Sequence, residues 1–137
     1  MREKARMANE VSANLSLTVA KNGASIIAAP SGLGTMSGDQ MLANIQIVTT
    51  TAEALVLGDV STIGGVFIRN LDPTNFCYIS LNSNPDASNS FAKLTANTAA
   101  TGSVSPGSWC YVPTGQTTIY AESDTANVNL QILAWEL

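Results

Sequence analysis

Apolar and polar residues alternate along the first part of the chain. Between residues 15 and 20 an apolar side chain falls on every second position, which is typical of a strand with one buried face. The dipeptide Asn22-Gly23 follows, and a second β-like run spans residues 25–29. Asn-Gly suits a two-residue type I′ turn, because both of its central residues need a positive φ. The pattern predicts a β-hairpin that ends at Pro30 and is followed by a glycine-rich loop over residues 31–39.

Short β-like runs separated by turn residues continue to the end of the chain, at spacings of about ten residues. They comprise residues 41–50, 53–57, 66–70, 75–81, 91–94, 108–112, 117–122 and 127–136. Short connections favour antiparallel pairing, and many short strands are typical of a sandwich or barrel. We therefore predict an all-β domain over residues 15–137, an antiparallel, jelly-roll-like β-sandwich of about 8–10 short strands.

Residues 1–14 differ from the rest, because they are rich in charge and show no strand alternation. Arg2, Lys4 and Arg6 make up half of the six basic residues, and the net charge of −4 becomes −6 from Met7 onward. The segment is predicted to be an extended arm that contacts an acidic neighbour, since it has little apolar surface to bury. An alternative is that Met7 is the natural start and residues 1–6 are an upstream extension.

The composition argues against catalysis. The sequence contains no histidine, which excludes Ser-His triads, Cys-His dyads and histidine metal sites. Alternating oxygen-bearing residues over 82–86 suit either a calcium loop or an Asx-rich turn, and the low acidic density favours the turn. We predict that the protein is not an enzyme and uses no metal and no cofactor.

Charge and hydropathy also narrow the class of partner. The acidic body repels nucleic acid phosphates, and no run approaches the roughly 18 apolar residues of a membrane helix. We predict neither a nucleic acid partner nor a membrane partner. No export signal is visible, so Cys77 and Cys110 are expected to be buried free thiols rather than a disulfide.

Two groups of apolar residues raise the question of what buries them. Phe67, Phe76 and Trp109 lie in predicted strands and are expected in the core between two sheets. In the closing strand, however, Val128 to Ala134 already supply one apolar face, and the opposite face turns apolar at its end, with Leu133, Trp135 and Leu137. Either the strand bends into the core there, or another subunit covers these residues, and the second interpretation is favoured.

Residues 57–79 carry a family resemblance. The turn Leu57-Gly58-Asp59, the strand end Arg69-Asn70-Leu71-Asp72 and the following Thr74-Asn75-Phe76 resemble a motif of small β-rich structural proteins of tailed bacteriophages. Later segments are similar as well, and the likeness covers roughly residues 45–136. Pro73 and the N-terminal extension depart from the pattern.

This resemblance implies a virion component made in the host cytoplasm. Several such proteins are capsid cement or decoration proteins with a jelly-roll-like sandwich. It implies a homo-oligomer, a dimer or trimer, that binds the major capsid protein on the capsid surface and stabilises the head. A tail, head-fibre or receptor-binding module is the alternative. The predicted interface residues are Leu133, Trp135 and Leu137, together with Arg2, Lys4 and Arg6 of the arm.

Overall fold

The protein is an all-β molecule built from antiparallel strands. The computed structural model describes residues 10–36, 38, 40–98, 105 and 107–137, and this part of the chain contains twelve strands and no helix. Every strand pair in it is antiparallel. The prediction of an all-β antiparallel sandwich is confirmed, while its jelly-roll connectivity stays a prediction. The chain divides into two compact units, Met1–Ser37 and Gly38–Leu137.

The first unit is a long β-hairpin. Its strands are β1 (Val11–Asn14), β2 (Leu17–Lys21), β3 (Ala24–Ala28) and β4 (Ser31–Gly34), and β2 pairs with β3 while β1 pairs with β4. The predicted turn is confirmed, because Asn22 and Gly23 both have positive φ, 52° and 82°.

The structure corrects two boundaries in this region. The last four residues of the predicted arm form β1, and part of the predicted loop over 31–39 forms β4. The chain divides after Ser37 rather than after residue 14, so the predicted domain of residues 15–137 is split. Alternation missed β1 and β4 because each is only four residues long and made mostly of small side chains, which carry little periodic signal.

The second unit contains two four-stranded sheets. The first has the order β10-β7-β12-β5, and the second has the order β6-β11-β8-β9. The strands are β5 (Met41–Val48), β6 (Glu53–Ala54), β7 (Ile63–Asn70), β8 (Cys77–Ser80), β9 (Ala92–Leu94), β10 (Trp109–Pro113), β11 (Tyr120–Ser123) and β12 (Val128–Glu136). The long strands β7 and β12 lie side by side at the centre of the first sheet.

The core of this unit is aliphatic. Its fully buried members include Ile63, Ile68 and Ile132 from the first sheet and Ile79 and Leu94 from the second. The expectation that Phe67, Phe76 and Trp109 form the core is wrong, because all three are only partly buried. Branched aliphatic side chains fill the space between the sheets, and each buried one contributes about 1.5–3 kcal/mol.

One buried amide ties the end of β7 to the surrounding loops. The Asn70 side chain is fully buried, and its Nδ2 donates to the carbonyl oxygens of Asn75 at 2.8 Å and Thr95 at 3.2 Å. Its Oδ1 accepts a hydrogen bond from the backbone N of Asp72 at 2.9 Å. Asp72 in turn accepts from the backbone N of Thr74 and of Asn75. The motif Asn70-Leu71-Asp72 is therefore a hydrogen-bonded corner in which the polar groups satisfy backbone atoms.

We expect Asn70→Ala to destabilise the protein by about 2–4 kcal/mol, because several backbone groups would stay buried without a partner. Chemical unfolding followed by circular dichroism measures this loss. Asn82→Ala is the matched control: Asn82 is exposed and accepts one bond from the backbone N of Asn84, so its loss should cost less than about 1 kcal/mol. Equal stabilities of the two variants would contradict the role given to Asn70.

Both cysteines are free thiols, as predicted. Cys77 is fully buried and Cys110 is partly buried against the core. Burial raises the pKa of the Cys77 thiol from 9.0 to about 12 and that of Cys110 to about 11. The folded protein therefore keeps both protons at pH values where the unfolded chain releases them, and stability falls as the pH rises above 9.

Between pH 9 and pH 11 we expect the free energy of unfolding to fall by about 2 kcal/mol more in the native chain than in Cys77→Ala. Comparing the pH dependence of the unfolding free energy in the two proteins cancels the contribution of every other titratable group, because both proteins contain the same ones. Urea unfolding at a series of pH values measures both slopes. Identical slopes would show that Cys77 ionises as easily in the folded state as in the unfolded state.

Candidate protein interface

The outer face of the first sheet is the candidate site, and its position follows from alternation along β12. Val128, Leu130, Ile132 and Ala134 are buried in the core. Successive side chains of a strand point to opposite faces, so Leu133 and Trp135 lie on the outer face. The strand thus carries apolar side chains on both of its faces near its end.

The strand register continues this apolar surface across the whole sheet. Leu133 lies between Phe67 of β7 and Ala43 of β5, and Tyr111 of β10 lies beyond Phe67. Trp135 lies between Gly65 and Met41 in the next row. Four strands therefore contribute to one continuous surface, which we call the outer sheet face: Met41, Ala43, Ile45, Ile47, Gly65, Phe67, Arg69, Trp109, Tyr111, Pro113, Asn129, Gln131, Leu133 and Trp135.

Several large apolar side chains of the outer sheet face are strongly exposed. Met41 is 74% exposed, Ile45 63% and Ile47 60%. Leu133 and Tyr111 are less exposed, at 42% and 40%. Scattered exposed apolar residues are ordinary on a protein surface, but a contiguous apolar patch of this extent is typical of an interaction site.

Trp135 is less exposed than the sequence predicted, because its ring lies over the backbone of β7. A Cβ atom at Gly65 would lie 2.5 Å from Trp135 Nε1 and 2.5 Å from Tyr111 Oη, and a Cβ at Gly64 would also collide with the ring. The register shifts by one residue between Trp135 and Glu136, and Gly64 is the extra residue of this β-bulge in β7. The two glycines therefore seat the ring on the sheet, and Trp135 is partly buried.

The aromatic residues expected in the core lie on outer surfaces instead. Phe67 and Trp109 contact each other on the outer sheet face, with ring centroids 5.9 Å apart. Phe76 packs edge-on against Tyr78 at 5.2 Å, and the Lys93 ammonium lies 4.0 Å above the Phe76 ring. The two sheets place these rings where they remain partly accessible to a partner.

The outer sheet face carries almost no charge. Arg69 is the one charged residue among its fourteen positions, and its Nε is buried without a hydrogen-bond partner. Across the part of the chain that the structure describes, no three His, Cys, Asp or Glu residues are grouped in a way that could hold a metal ion. The described residues also form no helix able to span a membrane.

The loop over residues 82–89 is an Asx-rich turn. Asp86 Oδ1 accepts from the backbone N and the Oγ of Ser88 and from the backbone N of Asn89. The hydrogen bonds from Ser88 lower the pKa of Asp86. These bonds occupy the carboxylate with local backbone, as the plain-turn interpretation predicts.

The structure brings together only part of the predicted interface. Leu133 and Trp135 lie on the outer sheet face, while Leu137 follows the end of β12, is 55% exposed and donates its backbone N to the Thr62 carbonyl. Arg2, Lys4 and Arg6 lie outside the described residues, so their role stays a prediction.

Sequence reasoning missed the contribution of β5, whose pattern is misleading. Its polar residues Asn44 and Gln46 lie on the same side as the buried Val48, while Met41, Ile45 and Ile47 point outward. Gln46 explains this inversion, because its Nε2 donates to the Ala54 carbonyl and its Oε1 accepts from the backbone N of Val56. Alternation alone would have buried the opposite side of the strand.

Comparison with known proteins adds nothing to this description. Neither a protein-family model, nor a curated protein, nor a solved structure matches the chain.

We expect Leu133→Asp to shift the purified protein towards monomer while its β-rich circular dichroism is retained, because a carboxylate cannot be buried in an apolar interface without a large cost. Trp135→Ala should lose about 2–4 kcal/mol of association energy if the ring is central to the contact. Size-exclusion chromatography with light scattering measures the oligomeric state.

Leu81→Asp is the control for this experiment, because Leu81 is 48% exposed and follows β8 in the second sheet, outside the outer sheet face. It introduces the same charge and should leave the oligomer intact. Unfolding of Leu133→Asp, or an oligomer as stable as that of the native chain, would contradict the interface assignment.

Proposed function

We propose that the protein is a non-enzymatic structural protein of a virion, a capsid cement or decoration protein. In this role it forms a homo-oligomer on the outer shell, bridges neighbouring major capsid protein subunits and stabilises the head. The observation that carries the proposal is the outer sheet face, a contiguous exposed apolar surface spread over four strands. Such a surface favours a protein that acts by forming interfaces with other chains.

The choice of a virion rests on the resemblance over residues 45–136 to small structural proteins of tailed bacteriophages. The residues of that resemblance also have structural roles here: Asn70 and Asp72 form the hydrogen-bonded corner, and Gly58 adopts a positive φ of 57° in its turn. These are fold-determining positions, so the resemblance supports a shared scaffold and transfers no catalytic residues.

The charge distribution is compatible with a protein packed in many copies. Charged residues make up 12% of the chain, so neighbouring copies repel one another weakly. Binding only to the assembled shell stabilises that shell by mass action, because separation of the capsid subunits then also requires loss of the bound cement protein.

Particles that lack this protein should assemble but release their DNA at a lower temperature than complete particles, because the bridging contacts are missing. A fluorescent DNA-binding dye followed during heating measures the release. Adding back the native protein should restore the heat resistance, whereas adding back Leu133→Asp should restore it less. Equal heat resistance of complete and deleted particles would contradict the cement role.

Copy number separates the two virion roles. Quantitative mass spectrometry of purified particles should find hundreds of copies, in a fixed ratio to the major capsid protein. A dozen copies or fewer would instead indicate the alternative, a tail, head-fibre or receptor-binding module.

A further inference from the structure

The first unit of the chain is one amphipathic ribbon rather than two separate strand pairs. Asn14 faces Ser31 before the interruption and Leu17 faces Ala28 after it, three residues further along each strand, so the register does not change. The backbone N of Leu15 donates to the Pro30 carbonyl at 3.0 Å within the interruption. Pro30 has no backbone N–H to donate in return, and this missing hydrogen bond interrupts an otherwise continuous ladder.

This register sorts the side chains onto two different faces. One face receives Val11, Ala13, Leu15, Leu17 and Val19 from the first strand. Opposite them the return strand places Ala24, Ile26, Ala28, Pro30, Gly32 and Gly34. We call this the hairpin apolar face, and its one charged residue is Lys21, next to the turn.

The reverse face is different in composition. It carries Ser12, Asn14, Ser16 and Thr18 on the first strand, and Ile27 and Leu33 are its large apolar residues. One side of the ribbon is therefore suited to contact with protein and the other mainly to contact with water.

The hairpin apolar face is exposed, although a two-stranded ribbon needs further packing. Ile26 is 74% exposed and Val19 56%, and every residue of β2 and β3 is exposed. An isolated hairpin is marginally stable at best in water, whereas packing of its apolar face against another element stabilises it. The hairpin apolar face is therefore expected to pack against another surface.

We propose that the hairpin apolar face of one copy docks on the outer sheet face of a second copy, and that the second copy returns the same contact. The product is a reciprocal dimer in which each chain covers the other's exposed apolar sheet. The inference rests on the oligomer proposed above, but it does not depend on the protein being part of a virion.

The shapes of the two surfaces are complementary. Four of the six return-strand positions on the hairpin apolar face are small: Ala24, Ala28, Gly32 and Gly34. The outer sheet face presents large side chains, among them Trp109, Tyr111 and Leu133. Small residues allow bulky ones to approach the backbone closely, as Gly64 and Gly65 already do for Trp135 within the sheet.

Charge is also compatible with this contact. Lys21 lies at the tip of the hairpin, and Arg69 is the charged residue of the outer sheet face. A hairpin laid with its tip away from Arg69 leaves Lys21 in solvent and keeps the two positive charges apart, so Arg69 is the one charged residue that the contact desolvates.

The areas of the two surfaces favour a dimer in which each hairpin covers the other copy's sheet. A dimer in which hairpins pack on hairpins, or sheets on sheets, buries less. Eleven residues per strand give the hairpin a face of about 37 by 10 Å, whereas the eight-residue strands of the first sheet are about 27 Å long. The overlapping part is about 270 Å² on each surface, so two reciprocal contacts bury about 1,100 Å² in total, above the roughly 1,000 Å² expected of a biological interface. Hairpins packed on hairpins would bury about 740 Å² and sheets packed on sheets about 1,000 Å², and each would leave the other surface uncovered.

Two adjacent isoleucines provide a matched test. Ile26 lies on the hairpin apolar face and Ile27 on the reverse face, and they are 74% and 68% exposed. Ile26→Lys should weaken dimerisation at least about tenfold, because the ammonium would be buried against a surface whose one charge is Arg69. Ile27→Lys should change it less than about twofold. Equal effects of the two substitutions on sedimentation would overturn the proposal.

Cross-linking of co-expressed variants identifies the contacting surfaces. One copy carries Val19→Cys and an epitope tag, and the other carries Ile45→Cys on the outer sheet face. A short bismaleimide should join the tagged copy to the untagged copy. The unmodified chain is the control, because burial raises the pKa of both native thiols and keeps them unreactive.

Each other product overturns the proposal. A product of two tagged copies means that hairpins pack on hairpins, and a product of two untagged copies means that sheets pack on sheets. Absence of any cross-link, with Val19→Cys protected only on capsids, assigns the hairpin to the capsid protein instead. If any of these results were found together with a high copy number in virions, the cement role would still be supported and only the reciprocal dimer would be wrong.

Discussion

The first sheet has apolar side chains on both of its faces, and this constraint governs the rest of the molecule. On the inner face, Ile68, Ile132 and their neighbours pack against the second sheet. The outer face, with Met41, Ile45 and Leu133, has no such layer within the described part of the second unit. A layer that covered this outer side would exclude water from it, and each large apolar side chain covered there would contribute on the order of 1.5–3 kcal/mol.

The interior that supports this sheet is specified by a few polar groups as well as by aliphatic packing. Asn70 satisfies backbone groups at the junction of β7 with the next sheet, and Gln46 does the same for the segment after β6. Gly64 and Gly65 hold the Trp135 ring against the backbone.

The fold could be predicted from the sequence to a useful extent, and the exceptions have physical causes. The Asn22-Gly23 hairpin and most strands of the second unit were predicted, because turn residues and β-branched runs act locally. The side of β5 that faces the core could not be predicted, since Gln46 is held on the inner side by its bonds to the backbone of Ala54 and Val56, a tertiary contact. Phe67 and Trp109 were wrongly predicted to lie in the core, because the presence of an aromatic residue does not show which face of a strand points inward.

The candidate site was only partly predictable for the same reason. Leu133 and Trp135 were found because β12 is apolar on both sides, a pattern visible within one strand. Their neighbours Met41, Tyr111 and Phe67 join them only through the strand register, which no local pattern specifies. The extent of the apolar surface therefore became visible only with the pairing of four strands.

Sedimentation equilibrium of the unmodified protein tests the central claim most directly, since the claim is that other copies cover the exposed apolar surfaces. The chain has a mass of 14.2 kDa. The account predicts a sedimenting mass of at least twice this value at micromolar concentration, with little dependence on salt because the contact is apolar. A single species of 14.2 kDa over the whole concentration range, with intact β-structure, would contradict it.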